Sequence, residues 1–222
     1  MTIRILINFK CYPEGTGDNA VSLAQLCERV SRDTGVSIGI VVQAVDIFRV
    51  CSAVSLPVYC QHLDGVAPGA FTGSLCALSV SRAGAAGVLL NHSEKHMEVD
   101  AIEDALREAK YHGLDVVVCA SDADIGAAVA TLLPDIVAVE PPELIGGDIS
   151  VSSAQPSLIQ ESVSLIHGVN KDVLVFVGAG IHIADDVRSA LAFGASGILV
   201  SSGVVLADDS EKVLRELCSG FL

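Results

Sequence analysis

Eight short β-branched runs recur along the 222-residue chain, and each is followed by a stretch of helical spacing or helix-forming composition. The runs are 3–8 (IRILIN), 37–42 (SIGIVV), 57–61 (PVYCQ), 86–90 (AGVLL), 115–119 (DVVVC), 135–139 (DIVAV), 173–177 (VLVFV) and 196–200 (SGILV). In the segment VDAIEDALREAKYHG (99–113), Val99, Ile102, Leu106 and Ala109 share one helix face, and Gly113 is a natural stop. ADDVRSALAFG (184–194) repeats the design with Gly194 as its stop, and a last helix is expected over 208–219. Strand alternating with helix implies right-handed βαβ units and a parallel sheet. Eight such units predict an α/β fold, a closed (β/α)8 barrel forming one domain over residues 1–222, although ~250 residues are typical of such barrels. The alternative is an open doubly wound sheet. A GxGxxG after the first strand would favour it, and CYPEGTGDN contains none.

Composition supports the same reading. Hydrophobic residues make up 51% and aromatics only 4%, with no Trp. The core must therefore be built from Val, Ile, Leu and Ala, as in parallel strands buried on both faces. No apolar run reaches the roughly 18 residues of a membrane span. The start, MTIRILINFK, is too short and too soon charged for a secretory signal. Seven scattered cysteines, an odd number without a CxxC, fit reduced thiols in a cytoplasmic chain better than a disulfide or zinc framework. The net charge of −14 argues against nucleic acid and anionic membranes as partners. It also means that an anionic substrate must be met by local donors.

In a barrel the residues after each strand share one rim, where barrel active sites lie. Here they are Asn8-Phe9-Lys10, Gln61-His62, Asn91-His92-Ser93-Glu94, Glu140, Gly178-Ala179-Gly180 and Ser201-Ser202-Gly203. Lys10 beside Asn8 suits a phosphate or a developing oxyanion. His92 is expected at the start of a new helix turn capped by Ser93, where positive potential would keep the imidazole neutral and able to donate. His62 and His96 lie near it, but no metal-ligand spacing is present, so no metal is expected. Glu94 reads either as a partner orienting Lys10 or as a solvated acid.

Glu140 follows DIVAV, so its backbone should be nearly buried, and a carboxylate there needs a partner or a function. Partial desolvation would raise it toward a useful general base; an ion pair with Lys10 is the compatible structural reading. The small-residue turns at 178–180 and 201–203, with a short helix in GVV after Ser202, are suited to cradle a phosphate. In PPELIGG (141–147) the prolines hold the strand end stiff and the glycines let the far end swing, as in a lid closing over a small substrate.

NFK (8–10), GAFTG (69–73), LLNHSE (89–94), VEPPELIGG (139–147), VGAGI (177–181) and SSGV (201–204) together resemble triosephosphate isomerases of the short archaeal type, in the family's order and across nearly the whole chain. The resemblance implies a cofactor-independent isomerase of triose phosphates in the cytoplasm. It implies Lys10, His92 and Glu140 as catalytic residues. Asn8, Lys10, Ile145, Gly146, Gly180, Ser201, Ser202 and Gly203 would bind substrate, and Glu94 would stand behind Lys10. Base, neutral histidine and closing loop are this family's own well-known arrangement, so those roles come with the resemblance. GAFTG resembles a loop whose Thr72 reaches a neighbouring subunit, which implies a homo-oligomer, dimer or tetramer.

Three departures stand out. The segment ASDADIGAAVATLLP is short, Asp148 puts a negative charge beside the lid hinge, and Gly180 stands where longer relatives place a serine. The last leaves a bound phosphate one side-chain donor poorer. Two other readings keep the barrel: a non-catalytic phosphosugar-binding protein, and another phosphate-handling isomerase or lyase with a larger substrate.

Overall fold

The computed structural model describes residues 3–140 and 156–222. Among these residues eight strands pair in chain order as parallel neighbours: β1 (Ile5–Asn8), β2 (Ile38–Val42), β3 (Val58–Cys60), β4 (Gly87–Leu90), β5 (Asp115–Ala120), β6 (Ile136–Val139), β7 (Leu174–Val177) and β8 (Gly197–Val200). β1 also pairs with β8, Ile5 with Ile198, Leu6 with Leu199 and Ile7 with Val200, so the sheet closes into a barrel. Each of the eight β-branched runs holds one strand, and the open doubly wound alternative is excluded by this closure.

Between and after the strands run α1 (Asp18–Thr34), α2 (Ile47–Cys51), α3 (Ala77–Arg82), α4 (Val99–Tyr111), α5 (Ala123–Ala130), α6 (Pro156–Val169), α7 (Ala184–Ala192), α8 (Ser202–Val205) and α9 (Ser210–Ser219). The two glycine stops act as expected. Gly113, just past α4, and Gly194, just past α7, have φ of 72° and 97°, a left-handed conformation in which a Cβ is strained. Among the described residues no helix is long and apolar enough to cross a membrane, and all seven cysteines are free thiols.

Successive side chains of a strand point to opposite faces, so each strand feeds two cores. Leu6, Val41, Leu89, Val117, Ile136, Ala138 and Leu199 fill the barrel interior. Their neighbours Ile5, Ile7, Ile40, Val88, Val116, Val118 and Val137 belong to the outer layer packed under the helices. Two rings, Tyr59 and Phe176, lie in the otherwise aliphatic interior. Tyr59 is paired in register with Gly87 on β4, and Phe176 with Gly197 on β8. A Cβ on either glycine would run into the ring beside it. Each ring thus covers the strand position that a glycine leaves empty. With the interior solid, a ligand has room only at the rim.

Candidate active site

β1 delivers Asn8 and then Lys10, whose φ of 48° is uncommon for a residue with a side chain. Local hydrogen bonds hold that turn. The Lys10 N–H donates to Asn8 Oδ1 at 3.0 Å, and Gln61 Nε2, from the end of β3, donates to the Lys10 carbonyl at 2.8 Å. The ammonium reaches across the rim and donates to Glu94 Oε1 at 2.7 Å. Glu94 is therefore the carboxylate that pairs with Lys10. The expected pairing of Lys10 with Glu140 is replaced by it; Lys10 acts on Glu140 only as a nearby positive charge.

His92 follows β4 and is 8% exposed. The helix turn expected at Ser93 does not form. The Lys95 N–H closes a tight turn on the His92 carbonyl at 2.7 Å, and the next helix begins at Val99. The imidazole is nevertheless held toward its neutral form. Burial is the largest cause; Glu94 opposes it, and the charges of Lys10 and His96 add to it. The Glu94 N–H approaches His92 Nδ1 at 3.2 Å. In a neutral ring that contact makes Nδ1 the acceptor and leaves the proton on Nε2, free to donate into the site.

Glu140 ends β6, 6% exposed. Its N–H donates to the Ala120 carbonyl at 2.8 Å, and the Gly178 N–H donates to the Val139 carbonyl at 2.8 Å, so the ladder runs through the strand ends and fixes the backbone here. Oε1 lies 3.5 Å from His92 Nε2. Oε2 is buried without a hydrogen-bond partner among the described residues. Burial pushes the carboxyl up to about 7; a weak interaction with the Cys119 thiol and the charge of Lys10 pull the other way, and Glu94 adds to the rise. Gly178 leaves the carboxylate its space: a Cβ there would strike the Glu140 side chain.

A cleft of about 590 Å³ opens at this rim. It is lined by Asn8, Lys10, His92, Glu94 and Glu140, by Gly178–Ile181 from the β7–α7 turn, and by Ser201 with Ser202 and Gly203 at the start of α8. The described candidates Asn8, Lys10, His92, Glu94, Glu140, Gly180, Ser201, Ser202 and Gly203 therefore meet in one place. Ser201 Oγ donates to the Asn8 carbonyl at 2.7 Å, tying the last strand end to the first. The short helix expected in GVV after Ser202 is α8, which starts one residue earlier, at Ser202 itself. Ile145 and Gly146, with the lid and Asp148, lie outside the described residues. Thr72 is in an exposed loop between β3 and α3. Among the described residues no group of His, Cys, Asp and Glu is arranged to hold a metal ion.

Three neighbours carry no role in the sequence reading. Gln61 was legible only as a rim position. Cys119 has no signal beyond its place on a strand facing the barrel interior. His182 lies two residues past the Gly178–Gly180 turn, within reach of a pattern search over that loop.

The arrangement offers a base tuned near neutrality, a neutral imidazole donor and a fixed ammonium around one small cleft. A family model described as triosephosphate isomerase matches residues 3–218. The chain is 44% identical over 215 residues to the triosephosphate isomerase of Methanobacterium bryantii, covering 97% of this chain and 95% of that protein. It is 45% identical over 213 residues to that of Methanosarcina acetivorans, covering 96% of each. It is 43% identical over 213 residues to that of Methanocaldococcus jannaschii, covering 96% of this chain and 97% of the relative.

Proposed function

We infer that this chain, which belongs to the triosephosphate isomerase family, uses Glu140 as its general base, with His92 and Lys10 as the groups that stabilise the enediolate. The reaction is the interconversion of dihydroxyacetone phosphate and D-glyceraldehyde 3-phosphate, a step of glycolysis and gluconeogenesis. Glu140 takes the proton α to the carbonyl and returns it to the neighbouring carbon. The His92 Nε2–H and the Lys10 ammonium donate to the oxygens on which charge develops. Asn8 shapes the Lys10 turn, and Glu94 keeps the ammonium aimed. The phosphate is received by Gly180, Ser201, Ser202 and Gly203, with Ile145 and Gly146 contributing from the lid.

The observation that carries this reading is the pairing of a buried, pKa-raised carboxylate with an imidazole whose Nε2 lies 3.5 Å away. General-base catalysis is worth roughly 10²–10⁴-fold, and one oxyanion donor about 2.7–4 kcal/mol. Proton transfer is the whole of the chemistry, and these side chains supply it without a cofactor. The same reading makes the chain a cytoplasmic protein with no nucleic-acid or membrane partner. It also makes it a homo-oligomer, dimer or tetramer, with Thr72 at the contact between subunits.

The test is Glu140→Asp in a coupled assay from D-glyceraldehyde 3-phosphate. The carboxylate retreats by one methylene. The variant is expected to melt like the parent and to lose kcat by roughly 10²–10⁴-fold. Near-parental turnover removes Glu140 from the role.

A further inference from the structure

The cleft wall formed after β7 and β8 carries few side-chain donors. Gly178, Gly180 and Gly203 have none. The Ser201 hydroxyl is spent on the Asn8 carbonyl, and the Lys10 ammonium is engaged by Glu94. The chain as a whole carries −14, a field that repels anions. A phosphate dianion has to be held against that field.

His182 lines this wall beside Ile181, in the same cleft as Ser201 and Ser202, and is exposed to solvent. Among the described residues that line the cleft, it joins Lys10 and His92 as a group able to carry positive charge. His92 is buried and held toward neutrality, whereas His182 stands in solvent. Its backbone is well anchored. Asp186, fully buried in the first turn of α7, accepts the His182 N–H at 2.9 Å and the Ile183 N–H at 3.1 Å through Oδ2. The ring therefore projects from a fixed turn.

We propose that His182 is a substrate-binding residue of this chain, its imidazole donating to the phosphate of the triose phosphate and so supplying the side-chain donor that Gly180 lacks. The inference rests on the triose phosphate reading above. An ordinary imidazole titrates near ~6.5, and a dianion beside it favours the imidazolium. The charged groups near it are Asp185, paired with Arg188 at 2.6 Å, the buried Asp186, and Glu216 of α9, whose Oε1 accepts the Ala184 N–H at 3.4 Å. Lys10, Glu94 and Glu140 line the same cleft, and Ser201, Ser202 and Gly203 add no charge to it.

The experiment compares the parent with His182→Ser, His182→Gln and His182→Lys. KM and kcat are measured from pH 6 to pH 8.5, and sulfate binding is measured by calorimetry over the same range. Sulfate stays a dianion throughout, so its pH dependence belongs to the protein alone. His182→Ser is expected to raise KM and weaken sulfate binding about three- to tenfold near pH 6, with much less effect at pH 8.5. The kcat should stay within about twofold, since no group at the reacting carbons is touched. His182→Lys should restore binding and flatten its pH dependence. Sulfate affinity and KM equal to the parent's at pH 6, in both the Ser and Gln variants, overturn the proposal. A parent that binds sulfate through His182 without turning over triose phosphate overturns the activity reading instead, so the two failures are distinguishable.

Discussion

Under the proposed mechanism, Glu140 is the residue prepared for proton abstraction. In water a glutamate is too weak a base to act near neutrality; desolvation at the end of β6 raises it to about 7. The same shift has a consequence for stability. The folded value lies above the ordinary glutamate value of 4.5, so the contribution is fully favourable below pH 4.5 and is lost as pH rises through about 7. At pH 8 the fold carries a buried carboxylate with an oxygen unpartnered among the described residues. Glu140→Gln is therefore expected to melt higher than the parent at pH 8 and to show no such gain at pH 5, as read by thermal denaturation. In the parent, kcat/KM should fall as pH drops through about 7, because the base gains its proton. A kcat/KM flat from pH 8 to pH 5 would assign the base to another group.

Strand ends set the site's precision. β5, β6 and β7 are joined past their last regular residues by the Glu140 and Gly178 N–H bonds, so the end of β7 is the floor on which the Glu140 side chain lies. Gly178→Ala puts a Cβ into that side chain. Since the neighbouring backbone is pinned on both sides, the carboxylate must move. The expected result is a protein that still folds, with kcat lowered roughly 10–10²-fold, the cost of a displacement near 1 Å, and KM changed less. Wild-type kcat in this variant would mean that Glu140 has slack the ladder does not suggest. The turn after β4 carries the opposite lesson. The imidazole was expected to stay neutral through a helix N-terminus, but no helix forms there. Burial and the charges of Lys10 and His96 produce the same effect without one.

On the scale of the molecule, closure of the barrel brings eight strand ends to one rim and leaves large apolar side chains exposed after two of them. Val45 and Phe48, after β2, are 81% and 71% exposed, and Phe71, beside Thr72, is 51% exposed. Apolar groups displayed in this way suit contact with another chain. Under the oligomer proposal, the parent sediments as a dimer or tetramer, and Thr72→Arg shifts it toward monomer with a fall in kcat that follows dissociation. A parent that sediments as a monomer at assay concentration ends that proposal.

The eight strands, the helix stops at Gly113 and Gly194, and the chemical identity of each strand-end residue were all readable from the chain alone. Alternation and a glycine stop are local properties, fixed by residues close in sequence. The partner of Lys10, 84 residues away at Glu94, was readable only as one of two alternatives for that glutamate. The proton position on His92, the support from Gln61 and the arrival of His182 in the cleft were not readable in that way. Each of these depends on distances between groups remote in the sequence. Such distances exist only once β1 and β8 have paired and the interior has excluded water.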